Sequence, residues 1–124
     1  MGIKASLSLP FAKFIVLRNR AWKYNAITIQ QKIMRQLLNK AQNTVFGKAH
    51  CFAKIQNYSD FKNHIPIRDY EGLKAYIKQT IDGEENVLWP GKPLYFCKTS
   101  GTTSGTKYIP ISNESMPNHI IAAR

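Results

Sequence analysis

The sequence predicts an α/β or α+β protein in which N-terminal helices lead into the first strands of a larger mixed domain. Three observations predict it. Residues 11–41 contain neither Gly nor Pro and repeat apolar residues every three or four positions, the period of one helical face. Two short runs of strand formers, Leu94–Lys98 and Lys107–Ile111, flank a loop of Gly, Ser and Thr. A hydrophobic fraction of 44% with 20% charged residues over 124 residues is a globular composition, in one small domain or part of a larger one.

Pro10 stands where a helix can open, because the N–H it lacks would be unpaired in a first turn anyway. After it, Phe14, Leu17 and Ala21, then Ile29 or Ile33, Leu37 and Ala41 mark the apolar face, which Trp22, Ile27, Met34 and Leu38 widen. The spacing fits one long helix or two with a break near Asn25, and Asn43, Thr44 and Gly47 end the pattern. Ser59–His64 reads as a short helical turn capped by Ser59 and stopped before Pro66. Asp69 is an N-cap for a helix from Tyr70 to about Thr80, with Leu73, Tyr76 and Ile77 on one side and Glu71 near the positive dipole end. Asp82-Gly83 stops that helix, so the helical region covers about 11–82.

Trp89-Pro90-Gly91-Lys92-Pro93 is turn chemistry. A strand–loop–strand unit at 94–111 follows, with its loop at 99–107 and with Pro110 placing the second strand at an edge. Ser112 caps a final helix, 112–124, with Glu114 or Ser115 in its first turn. That helix is still running at Arg124 with apolar residues showing, which predicts that residues 1–124 are the N-terminal piece of a longer polypeptide.

Composition narrows the function. The best apolar stretch, Leu7–Leu17, is interrupted by Pro10 and Lys13 and falls short of the roughly 20 residues of a membrane helix. It has no small-residue cleavage site, so no secretory signal is expected. Met1-Gly2-Ile3-Lys4-Ala5-Ser6 fits the N-myristoylation pattern, one short enough to arise by chance. The expectation is a soluble cytoplasmic protein with no membrane partner. Cys51 and Cys97 form no disulfide framework, and Cys97 reads as a small buried hydrophobe. His50 precedes Cys51, but no second pair stands at ligand spacing, so no metal site is expected.

His50, His64 and His119 lie far apart with no convergent acid and read as surface or capping residues. Asp69, Glu71, Glu84 and Glu85 read as caps and a solvated turn, and Trp22 and Trp89 as packing anchors. The net charge of +11 is concentrated early: eleven Lys or Arg and one acid, Asp60, precede Ile65. The bases are spread singly and match no nucleic-acid motif, so the preferred reading is a solvated basic face with no nucleic-acid partner.

Thr99-Ser100-Gly101-Thr102-Thr103-Ser104-Gly105-Thr106-Lys107 carries the chemistry. It supplies six hydroxyls, two glycines and a lysine between two predicted strands. Glycines let backbone N–H groups approach a ligand, hydroxyls donate to anionic oxygens, and a lysine adds a point charge for phosphate. It is not a Walker A loop: three residues separate Gly101 from Gly105, Thr106 precedes Lys107, and a strand rather than a helix follows. An ordinary hairpin loop of the same composition is the competing reading.

The order of residues, Thr-Ser-Gly-Thr-Thr, then Gly, then Lys, resembles the signature loop of the adenylate-forming enzymes. Further segments narrow the resemblance: Thr44–His50, Phe61–Ile67 with Asp69-Tyr70-Glu71, Gly83–Gly91, and Ile109-Pro110. Together they resemble the acyl-acid amido synthetases of the auxin-responsive Gretchen Hagen type, in a form like the bacterial members.

The resemblance implies a ligase that uses Mg-ATP to adenylate a carboxylic acid and then passes the acyl group to an amino acid amine. It implies that Thr99, Ser100, Gly101, Thr102, Thr103 and Gly105 hold the ATP phosphates. Lys107 is a weaker candidate, because the plant pattern has one more residue before its lysine. It also implies a protein several times longer, so residues 1–124 alone are expected to be inactive. No catalytic residue is identified. Two other readings stay open: a small basic module for nucleic acid or an anionic surface, and an inactive remnant.

Overall fold

The computed structural model describes residues 3–99 and 105–123. The chain divides into two compact units, Met1–Arg35 and Gln36–Arg124. The first holds helix α1 (Ile3–Tyr24) and the start of α2 (Ala26–Ala41). Of the two alternatives that the periodicity allows, the break at Asn25 is the one found, and α2 restarts with the Ile29 N–H donating to the Asn25 carbonyl at 2.9 Å. Pro10 does not open α1 but lies inside it. Its ring removes one rung of the helical ladder, and the helix runs on both sides of the gap. The packing role expected of Trp22 lies outside the side chains described.

The second unit is built around one junction. Leu38 and Ala41 are buried at the end of α2, and the chain turns there into the five-residue helix α3 (Val45–Ala49). Thr44, 1% exposed, is its N-cap. The Thr44 hydroxyl donates to the Ala41 carbonyl at 2.7 Å and accepts from the Gly47 N–H at 2.9 Å.

A helix leaves its first four N–H groups without internal partners, and here all four are satisfied. Thr44 N–H bonds the Ala41 carbonyl, Gly47 N–H bonds the cap, and the Val45 and Phe46 N–H groups reach the carbonyls of Asn86 and Val87 at 2.8 and 3.0 Å. The 86–91 segment is thereby fixed to α3. It closes on itself, with the Asn86 N–H and side-chain oxygen pairing with the Gly91 carbonyl and N–H. Val87 is inserted into the core at 1% exposure. Gly47 does not end the helical pattern as its sequence context predicts. It is buried within α3, where a Cβ would lie 2.1 Å from the Ala41 carbonyl oxygen.

Around this junction Ile55, Ile77 and Ile111 complete the buried apolar set. The Phe46 ring stacks on His50 at 4.0 Å and meets Tyr76 and Phe52 edge-on. His50 caps α3, as expected, but it is not a surface residue, being 6% exposed. Arg68 can only donate, so His50 Nε2 accepts from it at 3.1 Å and Nδ1 carries the proton toward the Phe46 carbonyl at 2.9 Å. Both ring nitrogens are thereby engaged.

After a 3-10 turn at Phe52–Lys54 comes α4 (Tyr58–His64). Its N-cap is Asn57 rather than Ser59: the Asn57 side chain accepts from the Asp60 N–H at 3.0 Å, while the Asp60 carboxylate returns to the Gln56 N–H at 2.9 Å. The amide of Asn57 reaches the N3 donor that Ser59, already inside the helix, cannot. Helix α5 (Tyr70–Ile81) matches expectation, with Asp69 accepting from the Gly72 N–H at 2.9 Å.

Strands β1 (Tyr95–Thr99) and β2 (Lys107–Ile111) pair antiparallel, with Thr99 opposite Lys107, Cys97 opposite Ile109 and Tyr95 opposite Ile111. Cys97 is exposed, not buried, as are its face-mates Tyr95 and Ile109, whereas Phe96 and Pro110 on the other face are half-buried. Ile111, at the end of the same face as Cys97, is buried, so cover over that face reaches the far end of the ladder and not position 97. Ser112 caps a turn, accepting from Ser115, and the final helix α6 (Met116–Ala122) begins four residues later than predicted. Pro117, at its start, suits that position because it has no N–H to leave unpaired.

Gly47→Ala is expected to destabilise the chain by about 3 kcal/mol, since the opposing atom is backbone and cannot move aside. Thr44→Val should cost about 2 kcal/mol by stranding a buried N–H, and Thr44→Ser less, because it keeps both bonds. Urea denaturation measures all three.

Candidate functional site

The 99–107 loop joins the paired ends of β1 and β2, so strand pairing fixes both of its ends. Thr99 and Lys107 face one another across the ladder and are half-buried on the same side of the sheet. Gly105 has φ +79°, and a Cβ built there meets nothing within 4 Å. That position is left-handed and open, so a side chain is opposed by backbone conformation and not by crowding. Ser100, Gly101, Thr102 and Thr103, also predicted to hold phosphate, lie outside the described residues. The structure thus places Thr99, Gly105 and Lys107 at the two roots of the loop.

Helix α5 holds the second root in place. Tyr70, its first residue, accepts a hydrogen bond from the Tyr108 N–H at 2.9 Å through its hydroxyl. Its ring also lies under the Lys107 ammonium, 5.7 Å from nitrogen to centroid, within cation–π range. Because the Tyr108 N–H points to Tyr70, it faces away from β1, and strand alternation sends position 110 the same way. Position 110 is Pro and has no N–H. The outer edge of β2 therefore presents no free donor at 108 or 110, in keeping with the edge position expected from Pro110.

Residues 99–107 contain no carboxylate. With no carboxylate, the segment offers no cage for a divalent cation by itself. Among the described residues, no group of three or more His, Cys, Asp or Glu side chains converges as a metal site. The displaced pKa values lie elsewhere. Hydrogen bonding to Glu71, reinforced by its charge, holds the exposed Lys74 ammonium above its ordinary 10.5, and Asp82 does the same for Lys78.

The sequence reading missed a cavity of about 250 Å³ beyond the far end of β2, lined by Thr80, Trp89, Pro93, Pro110, Ser112 and Ser115 among others. Trp89 is half-buried on its wall, with a buried indole N–H that has no partner among the described residues. The Trp-Pro-Gly-Lys-Pro run was the available signal, and it read only as a turn.

A sequence model of the GH3 family N-terminal domain matches residues 19–123. The indole-3-acetic acid-amido synthetase GH3.17 of Arabidopsis thaliana is 31% identical over 84 residues, which are 67% of this chain and 14% of that protein. The indole-3-acetic acid-amido synthetase GH3.15 of the same plant is 26% identical over 98 residues, 77% of this chain and 16% of that protein. The 4-substituted benzoates-glutamate ligase GH3.12, also from Arabidopsis thaliana, is 24% identical over 96 residues, 76% of this chain and 16% of that protein. The chain thus spans about a sixth of the length of these relatives.

If the Tyr70 hydroxyl holds the loop's second root, Tyr70→Phe should speed amide exchange at Tyr108 roughly fivefold, the equivalent of one hydrogen bond of about 1 kcal/mol. Exchange at Cys97 and Ile109, inside the ladder, should change less. Hydrogen exchange followed by NMR reads each amide separately.

Proposed function

The chain belongs to the GH3 family, and on that premise we propose that it forms the phosphate-holding N-terminal part of an ATP-dependent acyl-acid amido synthetase. In the proposed reaction a carboxylate oxygen attacks the α-phosphorus of ATP, the bond to pyrophosphate breaks, and an acyl adenylate results. An amino acid amine then attacks the acyl carbon and AMP leaves. The relatives' names, amido synthetase and ligase, support the class of reaction.

The observation that carries the reading is the β1–β2 loop. It lies inside the family match, it is rooted on paired strands with Thr99 opposite Lys107, and it contains a left-handed Gly105 with open space beside it. In this proposal Thr99, Ser100, Gly101, Thr102, Thr103 and Gly105 bind the phosphates through N–H and hydroxyl donors, and Lys107 adds charge. Charge builds on the phosphoryl oxygens in the transition state, so donors already fixed in place lower the barrier. Mg²⁺ supplies further charge neutralisation on the phosphates. The acid and the acceptor amine are bound by residues beyond these 124.

Titrating the chain with Mg-ATP or tripolyphosphate should shift the amide signals of Thr99, Gly105 and Lys107, with Kd on the order of 1 mM. Lys107→Ala should weaken that binding about threefold to tenfold, the effect of one partly screened charge. Unmoved signals at about 10 mM of either ligand would sink the phosphate role.

The isolated 124-residue chain should show no carboxylate-dependent ATP–pyrophosphate exchange. Detectable exchange would mean that the acid site lies within these residues, contrary to the proposal.

A further inference from the structure

Helix α1 is unlike the rest of the chain. Its central residues are large, apolar and outside the core: Phe11 is 68% exposed, Phe14 58% and Leu17 64%, with Leu9 and Val16 near half. Residues 9–17 also precede the GH3 domain match, which begins at residue 19, so they do not correspond to that domain's own core. Charge follows the same axis. Arg18, Arg20 and Lys23 are exposed in the C-terminal half, and no acidic residue occurs anywhere before Asp60.

The arrangement around the helix decides what can cover it. At 100° per residue Leu9 and Phe11 point to opposite sides, as do Phe14 and Val16. A protein groove covers one stripe of a helix and would leave half of these side chains in water. A nucleic acid would use the bases and none of the apolar groups. A medium that surrounds the helix end and carries negative charge at its surface covers all of them.

We propose that α1 seats its N-terminal half obliquely in one leaflet of an anionic phospholipid membrane, with Arg18, Arg20 and Lys23 at the headgroups. Residues 9–17 rise about 12 Å along the axis, less than half of the roughly 30 Å hydrocarbon thickness, so the helix enters one leaflet without crossing. No helix among the described residues is long and apolar enough to cross a membrane. Lys13, within the inserted stretch, reaches the interface by extending its ammonium along the helix. The seating reverses the expectation of no membrane partner.

The test is flotation of the 124-residue chain with vesicles of phosphatidylcholine alone and with about 30% phosphatidylserine, at about 0.1 M salt. Binding to the anionic vesicles should be at least about tenfold stronger than to the neutral ones and should fall as salt is raised. Replacing Arg18, Arg20 and Lys23 together by Gln should weaken anionic binding on the order of a hundredfold, at about tenfold or less per surface base. Phe11→Asp with Phe14→Asp should abolish binding to both vesicles, while amide protection at the α3 junction, read by hydrogen exchange, stays unchanged.

Absence of vesicle binding overturns the proposal, as does equal binding to the two compositions. Anionic binding that survives the double Phe substitution also overturns it, as does tighter binding to duplex DNA that is insensitive to that substitution. The last outcome would assign the basic residues to nucleic acid.

Discussion

The Thr44 hydroxyl is the constraint on which the second unit depends. It donates to the last carbonyl of α2 and accepts from the third N–H of α3, so one oxygen both ends one helix and starts the next. The sharpness of that turn leaves no room for a Cβ at position 47. It also aims the next two N–H groups outward at the carbonyls of Asn86 and Val87, which ties a segment forty residues away to the start of α3. A buried donor left unpaired costs about 1–3 kcal/mol, so these bonds act together: losing the cap would expose the demands of its neighbours as well.

From that junction, order passes to the loop through α5. Phe46 is held by α3 and packs edge-on against Tyr76 of α5. The start of α5 is set by its Asp69 cap and by Arg68, which meets the buried imidazole of His50. Tyr70, the next residue, then fixes Tyr108 and lies under Lys107. The lysine proposed to face phosphate is therefore positioned by a helix whose own placement derives from α3, and substitutions at Phe46 or His50 should be felt at the loop.

Two charge regimes occur in the one chain. In the second unit several acids are engaged as caps or exposed pairs, among them Glu114 with Lys40 and Glu71 with Lys74. Such exposed pairs contribute little each. α1 and the first part of α2 contain no acid in their sequence.

Local chemistry was legible in the sequence. The Asp69 cap, the α5 span, the second strand and the stop at Asp82-Gly83 each depend on residues within a turn of one another, as does the break near Asn25, which the periodicity left as one of two alternatives. The loop was legible by composition and by residue order, and its family by the segments around it. What the sequence misassigned were relations between distant residues or between competing local partners. Asn57 displaced Ser59 as a cap because it stands at the right offset from Asp60. Gly47 read as a helix breaker because nothing local shows that Ala41 leaves no space there. His50 caps α3 as expected, but its burial follows from Phe46 and Arg68, which become its partners only after folding, and Cys97 was assigned to the core although the cover over its face of the sheet reaches Ile111 and not position 97. Propensity and periodicity describe a chain against water, whereas burial and pairing depend on which segments meet. Tertiary structure alone decided that.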